Sequence, residues 1–219
     1  MAEKNSTSAR ALVSTLFERT ERTFAEEMGL DLSKNTPMPL FLWLVAANLF
    51  SARISAEQAL QAAKALKDAG LTTADHMAEA TWNERVLILN RNGYARFDEK
   101  TSRFLQDMAD HCLEAYRGDL RRLRDKADRD PAAERRLLKE FKGIGETGVD
   151  IFFREVQIAW DELYPFADKR ALQAGAELGL GETAEELARH VERPDFPRLL
   201  TALLRADLDG ALDELKSSS

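Results

Sequence analysis

The chain has 219 residues, 44% of them hydrophobic and 32% charged, which is enough for one sizeable core or two small lobes and too apolar for a disordered polymer. Its 38 acidic against 31 basic side chains leave a net charge of −7, an average that counts against a nucleic-acid partner, because phosphate backbones reward clustered positive charge. A low content of glycine and proline argues against a sandwich or barrel, and the single cysteine, Cys112, excludes an internal disulfide, a cysteine-based zinc site and a cysteine-ligated iron–sulfur cluster.

Residues 1–10 are polar and lack the apolar stretch of a signal peptide, so a cytoplasmic location is expected. Leu12, Leu16, Phe17, Phe24 and Met28 recur at helical spacing and predict one amphipathic helix stopped by Gly29. Residues 31–39 form a polar, proline-containing linker. The run 38–50, MPLFLWLVAANLF, is too short for a membrane span of roughly 20 residues and predicts a buried core helix. Residues 56–66 are rich in good helix formers and end before Gly70. Helical spacing recurs over 82–89, 99–116, 132–141, 151–160 and 170–178, and Thr183 to Glu186 resembles a capping start before two further amphipathic stretches. Residues 216–219 read as a frayed tail. No strict alternation persists, so the expectation is an all-α protein of roughly ten short helices without a fixed repeat.

The segment 138–156, LKEFKGIGETGVDIFFREV, carries the most information. A helix runs into Phe141, Lys142, Gly143, Ile144 and Gly145, and another begins near Glu146. Two glycines around an aliphatic residue allow a tight turn and close approach by another molecule, with Ile144 as a plug into the core. The helix that follows offers free N–H groups and a positive dipole end to a phosphate. An ordinary interhelical turn with a hydrophobic pin has the same appearance. Some twenty residues on, Tyr164-Pro165-Phe166-Ala167-Asp168-Lys169-Arg170 opens a further helix.

Hairpin, connecting helix, then Pro-x-x-Asp at a helix start resembles the helix–hairpin–helix DNA glycosylases, most closely their endonuclease III-like branch. The resemblance runs over about 41–180 and is strongest over 141–180. Asn48 to Arg53, and Asn92-Gly93-Tyr94 with Lys100 and Phe104, add support. It implies a two-lobed all-α fold with a central cleft: a six-helix lobe over 36–145 ending in the hairpin, and a second lobe of 1–35 with 146–219. It also implies double-stranded DNA as the partner, no membrane, and no cofactor beyond a monovalent cation (potassium or sodium) on the carbonyls of Phe141 and Gly143; a monomer is expected, with nucleoid association if the source is prokaryotic. The family's catalytic aspartate falls on Asp168, which would stabilise positive charge on the deoxyribose and help orient water once the base has left the stack. An aspartate at that position also makes an ordinary helix N-cap.

Departures from the family pattern sharpen the expectation. Where bifunctional members carry a Schiff-base lysine this chain has Thr147, so hydrolytic, monofunctional base removal is expected. The iron–sulfur cysteines are missing. Glu146 places a carboxylate beside the expected phosphate site. Lys142, Gly143, Ile144, Gly145, Thr147, Lys169 and Arg170 are the expected DNA contacts. Arg53 aligns loosely with the residue that family members insert into the gap left by a flipped base, but an exposed loop arginine is the favoured reading, and Tyr164 is the expected base-pocket aromatic. Asp150 reads either as a second cleft carboxylate or as a polar residue of a first helical turn. Basic residues outnumber acidic ones over 117–142, leading into the hairpin, whereas acidic residues gather after Gly181. The alternative function is a catalytically inactive protein of the same fold that binds bent or damaged DNA.

Overall fold

A computed structural model describes residues 2–217, with side chains from residue 8 onward. Among these residues there are fourteen α-helices and no strand, and no helix is long and apolar enough to cross a membrane. The chain divides into two compact units, one formed by residues 28–152 and the other by residues 1–27 with 153–219.

The central unit is built around α3 (Pro37–Phe50), in which every side chain from Pro39 to Leu49 is buried. A helix apolar on all faces is stable only when surrounded; each fully buried Leu or Phe contributes roughly 1.5–3 kcal/mol. Pro37 occupies the first turn, where no intrahelical N–H is needed, so α3 begins inside the expected linker. α3 packs against α4 (Ala56–Asp68); α4 packs with α6 (Trp82–Leu89), α7 (Asp98–Tyr116) packs with α5 (Ala74–Glu79) and α6, and α8 (Arg121–Lys126) packs with α9 (Pro131–Leu138). Ser55 and Thr81 each close a capping box, with Gln58 and Glu84, which fixes the starts of α4 and α6. The short α5 and α8 escape the sequence pattern, because one or two turns carry too few apolar positions to register a period.

In the other unit, α1 (Ala2–Arg19) packs with α13 (Phe196–Leu208), and α13 packs with α11 (Lys169–Glu177). Leu12, Leu16, Ala171, Ala174, Leu199 and Leu203 form the centre of that core. The single N-terminal helix expected from the stripe Leu12 to Met28 is in fact two. The cause is Thr23, whose Oγ1 accepts from the Glu26 amide at 3.2 Å while Glu26 accepts from the Thr23 amide at 2.8 Å, so a new helix, α2 (Phe24–Glu27), starts there. Thr183 and Glu186 form the expected box at the start of α12 (Ala184–Ala188). The last helix, α14 (Leu212–Ser217), includes part of the segment expected to fray: Lys216 Nζ lies 3.1 Å from Glu177 and 3.3 Å from Asp213, and Ser218 and Ser219 lie outside the described residues.

Candidate functional site

In the central unit, α9 runs into the turn 139–145, and α10 (Glu146–Val156) leaves it. Ile144 is 5% exposed and is the pin of the turn; its amide donates to the Phe141 carbonyl at 3.0 Å. The two glycines do different work. Gly143 has φ +85°, and a Cβ there would lie 2.2 Å from Asn48 Nδ2 and 2.6 Å from the Phe104 ring, so its bareness serves internal packing. A Cβ on Gly145 would meet nothing within 4 Å, so that position faces open space.

Three segments separated in sequence converge here. Asn48, near the end of α3, donates from Nδ2 to the Lys142 carbonyl at 3.4 Å. Tyr94, 1% exposed, donates its hydroxyl to the Leu49 carbonyl at 3.0 Å, and burial pushes its phenol up to about 12. Phe104 lies against Gly143, with Lys100 Nζ 5.2 Å from its ring centroid. The outward face of the turn carries Lys142, Gly145 and Thr147, all exposed. Lys142 has no side-chain partner among the described residues.

The Glu146 carboxylate is neutralised from α9. Arg135 Nη1 donates to it at 2.9 Å, Lys139 also pairs with it, and together they hold its carboxyl below the usual carboxylate range. The other fork of Arg135 reaches Asp150 at 2.7 Å, so Asp150 is a partner of α9. The basic run therefore delivers fewer free cations to the hairpin than its composition suggests: Arg135 and Lys139 are engaged within it, and Arg121 is engaged with Asp119 at 2.7 Å.

In the other unit, Asp168 is 7% exposed and caps α11. Its Oδ1 accepts from the amides of Arg170 at 3.0 Å and Ala171 at 3.2 Å, and its Oδ2 accepts from Arg154 Nε at 2.6 Å. Arg154, in the last turn of α10, is itself 5% exposed, so this is a buried pair. A carboxylate offers about four lone-pair sites; among the described residues these three donors leave one on Oδ2. Fully buried Gln157 fixes the loop in front of Asp168, donating to the carbonyls of Arg154 at 2.7 Å and Phe166 at 2.9 Å and accepting from the Phe166 amide at 3.0 Å. Neither Arg154 nor Gln157 was singled out by the sequence pattern. The available signal was two adjacent charges, Arg154 and Glu155, inside an otherwise apolar stretch.

Glu155 is 1% exposed and accepts from the amides of Phe24 at 3.1 Å and Ala25 at 2.9 Å, capping α2; burial pushes its carboxyl up to about 7. The remaining expected site residues are dispersed. Arg53 lies exposed in the loop between α3 and α4. Tyr164 packs edge-on against Phe196 with centroids 5.5 Å apart, and the Arg193 guanidinium sits 4.8 Å from its ring centroid. Arg170 sends its guanidinium to Asp207, whereas exposed Lys169 has no partner among the described residues. Trp43, Trp160, Phe152 and Phe153 are core. Cys112 is buried, and burial pushes its thiol up to about 12, well above the range of reactive cysteines. Among the described residues no three His, Cys, Asp or Glu side chains gather as a ligand set.

No protein-family model matches the sequence, and no curated protein does either. Among solved structures, the chain is similar to endonuclease III in a non-covalent complex with DNA, with a TM-score of 0.53 and 13% identity over 92% of this chain and 85% of that one. A trapped endonuclease III–DNA covalent intermediate also matches, with a TM-score of 0.48 and 16% identity over 78% and 73%. So does an H. pylori 3-methyladenine DNA glycosylase bound to 1,N6-ethenoadenine, with a TM-score of 0.47 and 16% identity over 96% and 97%. The likeness that carries weight concerns architecture: this chain has the all-α fold of endonuclease III.

Proposed function

We propose that this protein is a DNA N-glycosylase that removes a damaged or mismatched base flipped out of duplex DNA, acting hydrolytically and as a monomer. The observation that carries the reading is Asp168: a buried carboxylate at a helix start, held by Arg154 and two amides with one lone-pair site open, on the fold of endonuclease III. That remaining site suits a carboxylate that orients water toward C1′ and balances the positive charge on the sugar as the base departs with the bonding electrons. Lys142 and the open backbone at Gly145 suit contact with a DNA phosphate. Among the described residues the Phe141 carbonyl accepts the Ile144 amide, and it and the Gly143 carbonyl would hold a monovalent cation, which would supply positive charge beside that phosphate.

A threonine at 147 has no amine with which to form a Schiff base, which supports base removal without strand cleavage. Duplexes carrying uracil, alkylated, oxidised or mismatched bases, incubated with the protein and then cleaved by alkali, test for abasic sites. Borohydride tests the hydrolytic mechanism: no covalent adduct is expected, and an adduct lost on replacing one lysine would overturn it. The alternative, a protein of this fold that binds damaged DNA without catalysis, is favoured by the same carboxylate, since three of its four acceptor sites are already filled. Lesion-selective binding with no base release would establish that alternative.

A further inference from the structure

A second concentration of positive charge lies away from the hairpin and is not used by the proposed reaction. An open pocket of about 410 Å³ in the central unit is lined by Asn35, Asp119, Arg121, Arg122, Arg124, Asp125 and Arg129. Every lining residue is polar or charged, and arginines outnumber carboxylates. The lining carries four arginines against two aspartates in a chain of net charge −7. Arg121 is held by Asp119 through bonds of 2.7–3.0 Å. Arg122 and Arg129 are exposed and neither side chain makes a hydrogen bond or ion pair among the described residues, although the Asp119 carboxylate acts on Arg122 through space. Their guanidinium groups are therefore available to a ligand.

The pocket's position separates it from the hairpin. Asn35 precedes α3, whereas Asn48, which holds the Lys142 carbonyl, lies near the far end of that helix. At 1.5 Å per residue the two ends of α3 stand about 20 Å apart, and the eight residues of α9 put about 12 Å between Arg129 and the turn. Asp119 and Asp125 in the same wall break the positive surface into a spot instead of a stripe, which suits a compact anion better than a continuous phosphate backbone. With no apolar or aromatic residue in its lining, the pocket offers charge and no hydrophobic bed for an acyl group. Planar guanidinium forks match phosphate oxygens in paired hydrogen bonds.

We infer that the pocket formed by Arg121, Arg122, Arg124 and Arg129 binds a di- or triphosphate group of a small molecule, independently of the hairpin. This does not rest on the glycosylase reading and survives if that reading fails. Isothermal titration of the full chain with inorganic tripolyphosphate at low salt tests it, using wild type, the double variant Arg122→Ser/Arg129→Ser, and Lys142→Ser. The altered side chains are exposed, so folding is expected to be preserved. One saturable site is expected, weakened about tenfold or more in the double variant, as loss of two charge-assisted contacts implies, and unchanged in Lys142→Ser. Absence of saturable binding in wild type, or equal weakening in Lys142→Ser, would overturn the inference. Duplex DNA provides the second arm: its affinity should fall in Lys142→Ser and hold in the double variant. If the double variant loses DNA affinity as much as Lys142→Ser does, the pocket belongs to a DNA-backbone track and the inference fails.

Discussion

Replacing Arg154 by methionine tests whether the buried pair holds Asp168 in place. Both partners are nearly inaccessible, at 5% and 7% exposure, and the contact is 2.6 Å. Removing one member of a buried pair leaves an uncompensated charge in a low-dielectric site, which costs about 3–5 kcal/mol. Asp168 keeps two amide donors after the change, which places Arg154→Met at the lower end, near 3 kcal/mol. Set against a typical total stability of 5–15 kcal/mol, this is a large fraction, and it corresponds to a drop in urea midpoint of roughly 1–2 M. Asp168→Asn strands the guanidinium instead and carries a similar cost, though the asparagine still caps α11. In the double variant neither charge remains, so its loss should fall about 2 kcal/mol or more short of the sum of the single losses. Urea unfolding of all four proteins at one pH measures this. Single losses below about 0.5 kcal/mol, or strict additivity in the double variant, would refute the reasoning.

Further outcomes follow from the same geometry. Gly143→Ala should lose more than about 2 kcal/mol, because φ +85° is strained for a side chain and the new methyl meets Asn48 and Phe104, whereas Gly145→Ala should unfold like wild type yet bind duplex DNA more weakly in a salt titration. Equal stability losses in the two variants would contradict the division of labour between these glycines. Glu155 makes stability depend on pH with an unusual sign. Its carboxyl titrates near 7 in the folded protein against an ordinary 4.5, so its contribution is fully present below pH 4.5 and is lost as pH rises to about 7, a change of up to roughly 3 kcal/mol. Thermal melts between pH 4.5 and 7.5 should show Glu155→Gln removing that downward slope; an identical slope in both proteins would remove the argument. Tyr94→Phe should cost on the order of 1 kcal/mol in urea unfolding, from the lost bond to the Leu49 carbonyl.

Much of the helical architecture was legible in the sequence because it rests on local rules. The run around Trp43 could bury every face only as a core helix, and the Thr183–Glu186 box marked the start of α12. The division of α1 from α2 was hidden, since Leu16, Phe24 and Met28 keep a helical period across a break that depends on Thr23 and Glu26 side chains. Asp168 and the two-glycine turn stood out by spacing, whereas Arg154 did not: its role depends on a partner fourteen residues away in an irregular loop. Charge was the least legible quantity. Composition gives the balance over 117–142, but only side-chain geometry shows Arg135 and Lys139 committed to Glu146 while Arg122 and Arg129 remain available at another place.

The central claim is that Asp168 drives base removal, and single-turnover excision measures it most directly. With any duplex from the lesion panel that wild type processes, Asp168→Asn should release base at least about a hundredfold more slowly while retaining duplex affinity, since asparagine preserves the cap and leaves Lys142 and Gly145 untouched. Wild type that frees no base from any duplex, or Asp168→Asn that excises at the wild-type rate, would contradict the account.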